Sequence, residues 1–341
     1  IGYRDAGYDE ARDARAVAAH LGTEHHELYL DEADALAVVP KLGTMYDEPF
    51  GDSSQIPTHL VSRMARGEVT VALSGDGGDE IFGGYNRYLW VDRIHRATGW
   101  LPRAGRGLLA DALTVVPPAG WDRLAGLLNQ RTPGDKLHKL AGILRADDPP
   151  AIYERLVSHW SGAESVVPGG RIADNLVYRR GDWARLPDFV DQMMYLDAMT
   201  YQPDDALTKV DRASMAVSLE VRVPILDHRV AAFAWSLPQS MKIAGGVGKR
   251  LLRRVLYRHV PRELIERPKM GFAVPIHDWL RGPLRDWAEA LLAEDRLRRE
   301  GLFDPAPIRC LWVEHLGGSR NWQHQLWDIL MVQAWHEATH G

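Results

Sequence analysis

Val69-Thr70-Val71-Ala72-Leu73-Ser74-Gly75-Asp76-Gly77-Gly78-Asp79-Glu80-Ile81-Phe82-Gly83-Gly84-Tyr85 is the stretch that decides the fold. Its first five residues are apolar and rich in β-branched side chains, the pattern of a short strand buried in a parallel sheet. The strand ends in Ser-Gly, and the glycine-rich acidic run after it opens a helix. A pliant backbone then sits at the carboxyl end of a parallel strand, where open α/β sheets bind ligands. Free N–H groups of the following helix attract an anion, worth about 0.3–1 kcal/mol at an exposed site. Asp76, Asp79 and Glu80 place three carboxylates within five residues, and these repel a bare phosphate. They suit a phosphate bridged by Mg2+, which binds through a few carboxylates and substrate phosphate oxygens. An acidic surface turn, with Asp79 or Asp76 capping the helix, accounts for the same residues.

Working outward, the chain before this stretch alternates strands and helices. Ile1-Gly2 reads as a strand tail. Asp9 caps a helix through Ala11, Ala14, Val17, Ala18 and Leu21 that Gly22 stops, and Glu27–Leu30 is extended. Helical patterning runs over Ala33–Tyr46 with a break at Pro40, and again over Pro57–Arg66. Strands alternating with helices predict a doubly wound sheet. From about residue 90 to 200 the pattern is helical only, cut by Val116-Pro117-Pro118, Pro149-Pro150 and Pro168-Gly169-Gly170. Trp100, Trp160 and Trp183 are expected to anchor helix packing there. Residues 205 to 265 predict two or three more helices, and 275 to 340 a Trp-rich helical end. No repeat or low-complexity tract is present.

At 341 residues the chain exceeds the usual size of one hydrophobic core. It predicts one large α/β domain with a helical annex or two closely packed units. A net charge of −5 argues against nucleic acid or an anionic membrane surface as the main partner. Arg253-Arg254 lie within helical periodicity beside Leu251, Leu252, Val255 and Leu256 and read as a solvated helix face. A single cysteine, Cys310, rules out an intramolecular disulfide and fits a reducing, cytoplasmic setting. Flanked by Ile308, Leu311 and Val313, it reads as packed core. No apolar run reaches the roughly 20 residues of a membrane helix. The opening Ile-Gly-Tyr-Arg-Asp has neither Met nor a signal-peptide core, so the chain is expected to begin within a longer protein.

Two further patterns invite chemistry and do not sustain it. His336-Glu337-Ala338-Thr339-His340 has the spacing of a zinc protease helix but ends one residue from the C-terminus, with no third ligand downstream. Gly245-Gly246-Val247-Gly248-Lys249-Arg250 resembles a phosphate loop, but Ile243 stands where its first glycine belongs and no hydroxyl residue follows the lysine. It reads as a turn entering a helix. His25-His26 alternate faces ahead of a strand and make a poor metal pair.

Ser74–Tyr85, continued by Asn86-Arg87-Tyr88, resembles the Ser-Gly-x-Gly-x-Asp-Glu-x-Phe-x-Gly-Tyr signature of the asparagine synthetase family. Leu21-Gly22-Thr23-Glu24-His25-His26-Glu27 and Asp47-Glu48-Pro49-Phe50-Gly51-Asp52-Ser53-Ser54 resemble its earlier segments. Lys209–Ala216 with Leu219–Asp227, then Arg267-Pro268-Lys269-Met270-Gly271-Phe272 and Asn321–Trp327, resemble its later ones in the same order. The resemblance implies an α/β fold of the adenine nucleotide alpha-hydrolase (ATP pyrophosphatase) type. Its parallel sheet is incomplete at the N-terminus, and a large, mostly helical C-terminal part follows. Residues 1–90 would form the nucleotide-binding layer and 91–341 the helical part, with 205–275 returning to the active site.

That family activates the side-chain carboxylate of aspartate with ATP and Mg2+, then passes ammonia from glutamine to the acyl carbon. Under the resemblance Ser74 and Gly75 lie against the adenosine or α-phosphate, and Ile1 beside the adenine unless it is plain core. Asp79, with Glu80 next to it, holds Mg2+. Lys269 neutralises pyrophosphate unless it is a solvent-facing loop lysine, and it should share a cavity with Asp79. Asp76 stands where the family often has Glu as base or orienter, one methylene shorter here. Ser53 and Ser54 fall near the aspartate and phosphate site, or simply make a turn. Asp211 and Arg212 line the cleft or form a helix-surface salt bridge. Glu220, Arg222 and Asp227 are structural, Asp227 capping a helix through Val230, Phe233 and Leu237. The Ser-Gly-Gly-x-Asp-Ser loop and the glutaminase domain with its cysteine nucleophile are absent from this sequence. The resemblance therefore implies an asparagine-forming ligase in the full-length protein, a homodimer as its partner state, and no turnover by these 341 residues alone. A relative acting on another carboxylate, or a non-catalytic scaffold, are the rival readings.

Overall fold

The computed structural model describes residues 2–3, 11–98, 100–125, 133–160, 165–172, 174–266 and 274–341. Ile1, Asp9 and Lys269, singled out in the sequence, lie outside them. β1 (Gly2–Tyr3) and β2 (Tyr29–Leu30) pair in parallel, Gly2 opposite Tyr29, with α1 (Ala11–Leu21) between them in the chain. Gly22, at φ 66°, ends α1 as its sequence position predicts. β3 (Val71–Leu73) pairs in parallel with β4 (Glu220–Arg222), Ala72 opposite Val221. The ladder extends at both ends, Glu220 N donating to Thr70 O and Ser74 N to Arg222 O.

Two expectations about this sheet change. β3 is parallel but not buried: Leu73 is 73% exposed and Val71 also faces outward, because among the described residues β4 is its one ladder partner. β4 falls where further helices were expected. Its outward Glu220 and Arg222 pair with each other at 2.8 Å, and that polarity hides the extended segment from an apolar-run search.

The helices follow their local signals closely. α2 (Glu32–Leu36) opens on a capping box between Asp31 and Asp34, and Pro40 breaks the run into a 3-10 turn before α3 (Leu42–Met45). After α4 (Gln55–Arg66) and α5 (Gly78–Phe82) comes the helical layer: α6 (Asn86–Thr98), α7 (Arg103–Val115), α8 (Pro118–Ala125), α9 (Pro133–Leu144), α10 (Pro149–Val157) and α11 (Phe189–Met199). A π-helical turn over Gln202–Leu207 then leads into α12 (Thr208–Met215). Beyond β4 lie α13 (His228–Ser236), α14 (Gln239–Lys242) and α15 (Arg250–Leu256). Asp227 caps α13 by accepting from Arg229 N, as read from the sequence. The chain closes with α16 (Ile276–Arg281), α17 (Arg285–Leu291), α18 (Glu294–Glu300), α19 (Pro305–Leu316) and α20 (Gln323–His340).

One core joins α4 to the C-terminal helices through Ile56, Leu60, Trp279, Trp312 and Trp327. A second holds α6, α10 and α11 together through Val91, Tyr153, Met193 and Leu196. Each fully buried Leu, Ile or Met in them contributes about 1.5–3 kcal/mol. Trp160 and Trp183 pack against these cores as expected. Trp100 does not: it is 76% exposed past the end of α6, its indole N–H returning to Ala97 O at 2.7 Å. Cys310 is also exposed, not core. On α19 the inward stripe is Ile308, Trp312 and His315, and a residue two places past Ile308 points to the far face.

Candidate active site

Asp76, Asp79 and Glu80 share one loop, yet the fold gives them different surroundings. Ser74 Oγ donates to Asp76 Oδ2 at 2.6 Å, which ties the loop's first carboxylate to the strand end. A Cβ at Gly75 would meet no protein atom within 4 Å, so nothing in the packing demands glycine there. Neither Asp76 nor Asp79 caps α5. Gly77 does, at φ 81°, where a Cβ would stand 2.3 Å from Leu226 Cδ2. An L side chain is excluded twice over, by the left-handed backbone and by Leu226.

Asp79 points to α15. Lys249 Nζ donates to its Oδ2 at 2.7 Å. The approach requires Gly84, whose added Cβ would lie 2.1 Å from Asp79 Oδ1 and 2.3 Å from Lys249 Cε. Lys249 N also donates to Phe82 O, fastening the start of α15 to the end of α5. Glu80 turns the other way. It is 1% exposed, and Tyr85 OH donates to its Oε1 at 2.6 Å. Burial pushes its carboxyl above the usual range.

Behind Tyr85 lies a buried polar scaffold. The Arg87 guanidinium stacks 3.9 Å over the Tyr85 ring and donates to Asp197 Oδ2 at 2.8 Å. Tyr88 and Tyr153 donate to the same carboxylate. Through Arg87 and Tyr85 these groups connect the loop's Glu80 to the buried Asp197 on α11.

The serine pair organises a second cluster at the start of α4. Ser54 donates to Asp52 through both its backbone N–H (2.8 Å) and its hydroxyl (2.7 Å), and Lys209 Nζ reaches Asp52 Oδ2 at 2.6 Å. Burial pushes the Asp52 carboxyl up, but the Lys209 ammonium and the Ser54 donors outweigh it, and the net shift is downward. Ser53 adjoins through its backbone, accepting from Ile56 N. Asp205 stands 3.9 Å from the same ammonium. Asp211 and Arg212 line a pocket of about 470 Å³ with Tyr46, Phe50 and Leu207. Arg212 ion-pairs there with Asp47.

Sequence reading gave no site role to Lys249 or Lys209 and did not single out Gln202 or Asp205. The signal for Lys249 was the flanking glycine: Gly248 allows a close backbone approach, a Cβ there meeting Gly83 O at 2.1 Å. Gln202 is buried beside Gly77, and its Nε2 has no hydrogen-bond partner among the described residues. The π-helical turn delivers Gln202 to the loop and Asp205 to the serine cluster, a distortion of the kind often found at functional sites. Nothing in local composition announces it. Among the described residues no group of three or more His, Cys, Asp or Glu is placed to hold a metal, the His336–His340 pattern included. No described helix is long and apolar enough to cross a membrane.

The sequence profile of the asparagine synthase family matches residues 1–337. The chain belongs to that family. It is 32% identical, over 98% of its length, to a Mycobacterium tuberculosis protein provisionally named a glutamine-hydrolysing asparagine synthetase, of which it covers 49%. It is 29% identical, again over 98% of its length, to asparagine synthetase (glutamine-hydrolysing) 1 of Bacillus subtilis, covering 51% of that protein. A Penicillium rubens protein named amidase chyE is 24% identical over 88% of the chain, which covers 46% of it. The chain thus spans about half the length of the curated relatives it matches.

Proposed function

We propose that the full-length protein amidates aspartate to asparagine at the expense of ATP, using ammonia drawn from glutamine. A β-carboxylate oxygen attacks the α-phosphorus and the bond to pyrophosphate breaks. Ammonia then attacks the acyl carbon of the β-aspartyl-adenylate and AMP leaves. The observation that carries this reading is the acidic glycine loop at the end of β3, with Asp79 set against Lys249. A parallel sheet of the ATP pyrophosphatase type is the frame it implies.

The loop's chemistry fits Mg2+. Asp79 offers a hard oxygen donor at the loop, and Mg2+ takes one or two carboxylates with phosphate oxygens supplying the rest. Asp79 would hold the ion, with Glu80 supporting from within through Tyr85. When bound, Mg2+ neutralises phosphate charge. The protein's own part is gathering anions and fixing their orientation. Ser74 and Gly75 offer backbone and hydroxyl to the nucleotide, with Ile1 proposed at the adenine. Lys249 and, in the proposal, Lys269 supply positive charge. Asp76, oriented by Ser74, is the proposed acceptor of the proton that ammonia gives up. Asp211 and Arg212, in their pocket, and Ser53 and Ser54 are proposed on the carboxylate substrate's side.

The test is the product. Full-length protein with ATP, Mg2+, aspartate and either glutamine or ammonium should form AMP and asparagine in equal amounts. Formation of ADP, or asparagine without AMP, would overturn the adenylate. A panel of other carboxylates decides the acceptor, and the 341-residue chain assayed alone should not turn over.

A further inference from the structure

The cluster around Lys209 holds one more carboxylate than it needs. Asp52 is matched: Lys209 donates to it at 2.6 Å and Ser54 donates twice. Asp205 is not. It stands 3.9 Å from Lys209, and its Oδ1 is shielded from solvent with no hydrogen-bond partner among the described residues. A second observation comes from another element. Tyr46 is 6% exposed, stacked on Phe50, and its hydroxyl is likewise buried without a hydrogen-bond partner among the described residues. Asp52 and then Asp205 lie near enough to that hydroxyl to raise its pKa, after burial itself. His159, held to Asp328 at 3.0 Å, and the Tyr201 phenol are the other titratable groups that act on this pair.

We propose that Asp205, with Tyr46 beside it and Asp52 and Lys209 behind it, forms a subsite for a primary ammonium group brought by a reactant of the amidation. The inference rests on the amidation reading above. Two carboxylates against one ammonium leave a surplus negative charge in a half-buried place, which is costly unless it is paired or protonated. Burial and the neighbouring Asp52, as a like charge and through a hydrogen bond between the two carboxyls, push the Asp205 carboxyl up to about 7, and Lys209 offsets them only in part. An –NH3+ brings three donors and no acceptor. It can donate to Asp205 and to the Tyr46 oxygen together, leaving the cluster neutral. About a third of the Asp205 side chain stays open to solvent (34%), so the group is reachable.

The ammonium has two sources, the α-ammonium of an amino-acid substrate and ammonium itself on its way to the acyl carbon. Steady-state AMP release by the full-length protein separates them, with ATP saturating. Asp205→Asn should raise one KM, for aspartate or for ammonium, by about tenfold, the loss of one charge-assisted contact, and leave the KM for ATP unmoved. A rise confined to aspartate assigns the α-ammonium, and one confined to ammonium assigns the incoming nitrogen. Asp205→Glu should restore part of the loss. Tyr46→Phe keeps the ring stack and should raise the same KM by a smaller factor, which keeps the test available if Asp205→Asn does not fold. Folded variants with both KM values unchanged would overturn the subsite. If the wild-type protein forms no AMP at all, it is the amidation reading that fails. Calorimetric titration with methylammonium chloride then reads the subsite directly, supported by binding that Asp205→Asn abolishes and overturned by equal or no binding in both.

Discussion

Lys249 and Asp79 are 170 positions apart in the chain and joined by a 2.7 Å ion pair, and Gly84 is the residue that lets them meet. A methyl group at Gly84 would displace the Asp79 carboxylate and the Lys249 methylene beside it, both of them side-chain atoms rather than backbone. Gly84→Ala should therefore leave the fold nearly intact, with a melting temperature close to that of the parent, while raising the KM for ATP in the full-length protein by about tenfold. Thermal unfolding measured beside AMP release decides it. A parent-like KM would mean that the pair has no part in holding nucleotide.

Gly77 should answer differently, because its obstacle is the core. Its φ is 81° and a Cβ would meet Leu226 Cδ2 at 2.3 Å. Gly77→Ala is expected to lower stability by about 1–3 kcal/mol through backbone strain, with the clash adding to that. Urea unfolding of the two proteins checks the figure. The contrast between a functional loss at Gly84 and a stability loss at Gly77 would show that neighbouring glycines in one loop serve different ends.

How far the sequence reveals this site depends on which forces set each part. The strand–loop–helix at Leu73–Phe82, the break at Pro40 and the Asp227 cap were legible because each is fixed by its own few residues. β4 was not legible, since Glu220 and Arg222 gave it a polar outline and only the ladder with β3 makes it a strand. Lys249 was read as a helix entrance and Asp205 went unnoticed, because their partners Asp79 and Lys209–Asp52 are brought to them by tertiary structure. Cys310 and Trp100 were placed inside on apolar character alone, where helix phase and helix end put them outside. Short-range chemistry is written in the sequence; long-range pairing of polar groups leaves little trace in a single one.

Asp205 also makes a prediction about stability and pH. Its carboxyl, raised from an ordinary 3.8 to about 7, holds a proton more tightly in the folded chain than in the unfolded one. The stability linked to it is thus fully present below its unfolded value and is lost as pH climbs through about 7. Asp52, shifted downward, acts below this window, and His159, shifted upward, acts in the same direction as Asp205. Replacing Asp205 isolates its share. The drop in urea midpoint between about pH 5 and about pH 8 should be smaller in Asp205→Asn than in the parent. An equal drop in both would show that this carboxyl does not titrate in the window.

Asp197 is fully buried and receives Arg87, Tyr88 and Tyr153, so its charge is balanced by one cation and its oxygens by three donors. Burial nevertheless pushes its carboxyl up, and the partners only partly offset this. Removing one neutral donor should cost less than removing the cation. Tyr153→Phe, which keeps the ring among Val91 and Met193, is expected to lose about 1.5–3 kcal/mol, the worth of a hydrogen bond to a charged group. Arg87→Met strands the carboxylate and should cost about 3–5 kcal/mol. Arg87 also stacks on Tyr85, which donates to Glu80 on the loop, so this second variant should in addition impair AMP release where Tyr153→Phe does not. Urea unfolding and the AMP assay on both variants give the answer. Equal losses of stability with activity untouched would mean that the scaffold supports the helical layer alone and does not position the loop.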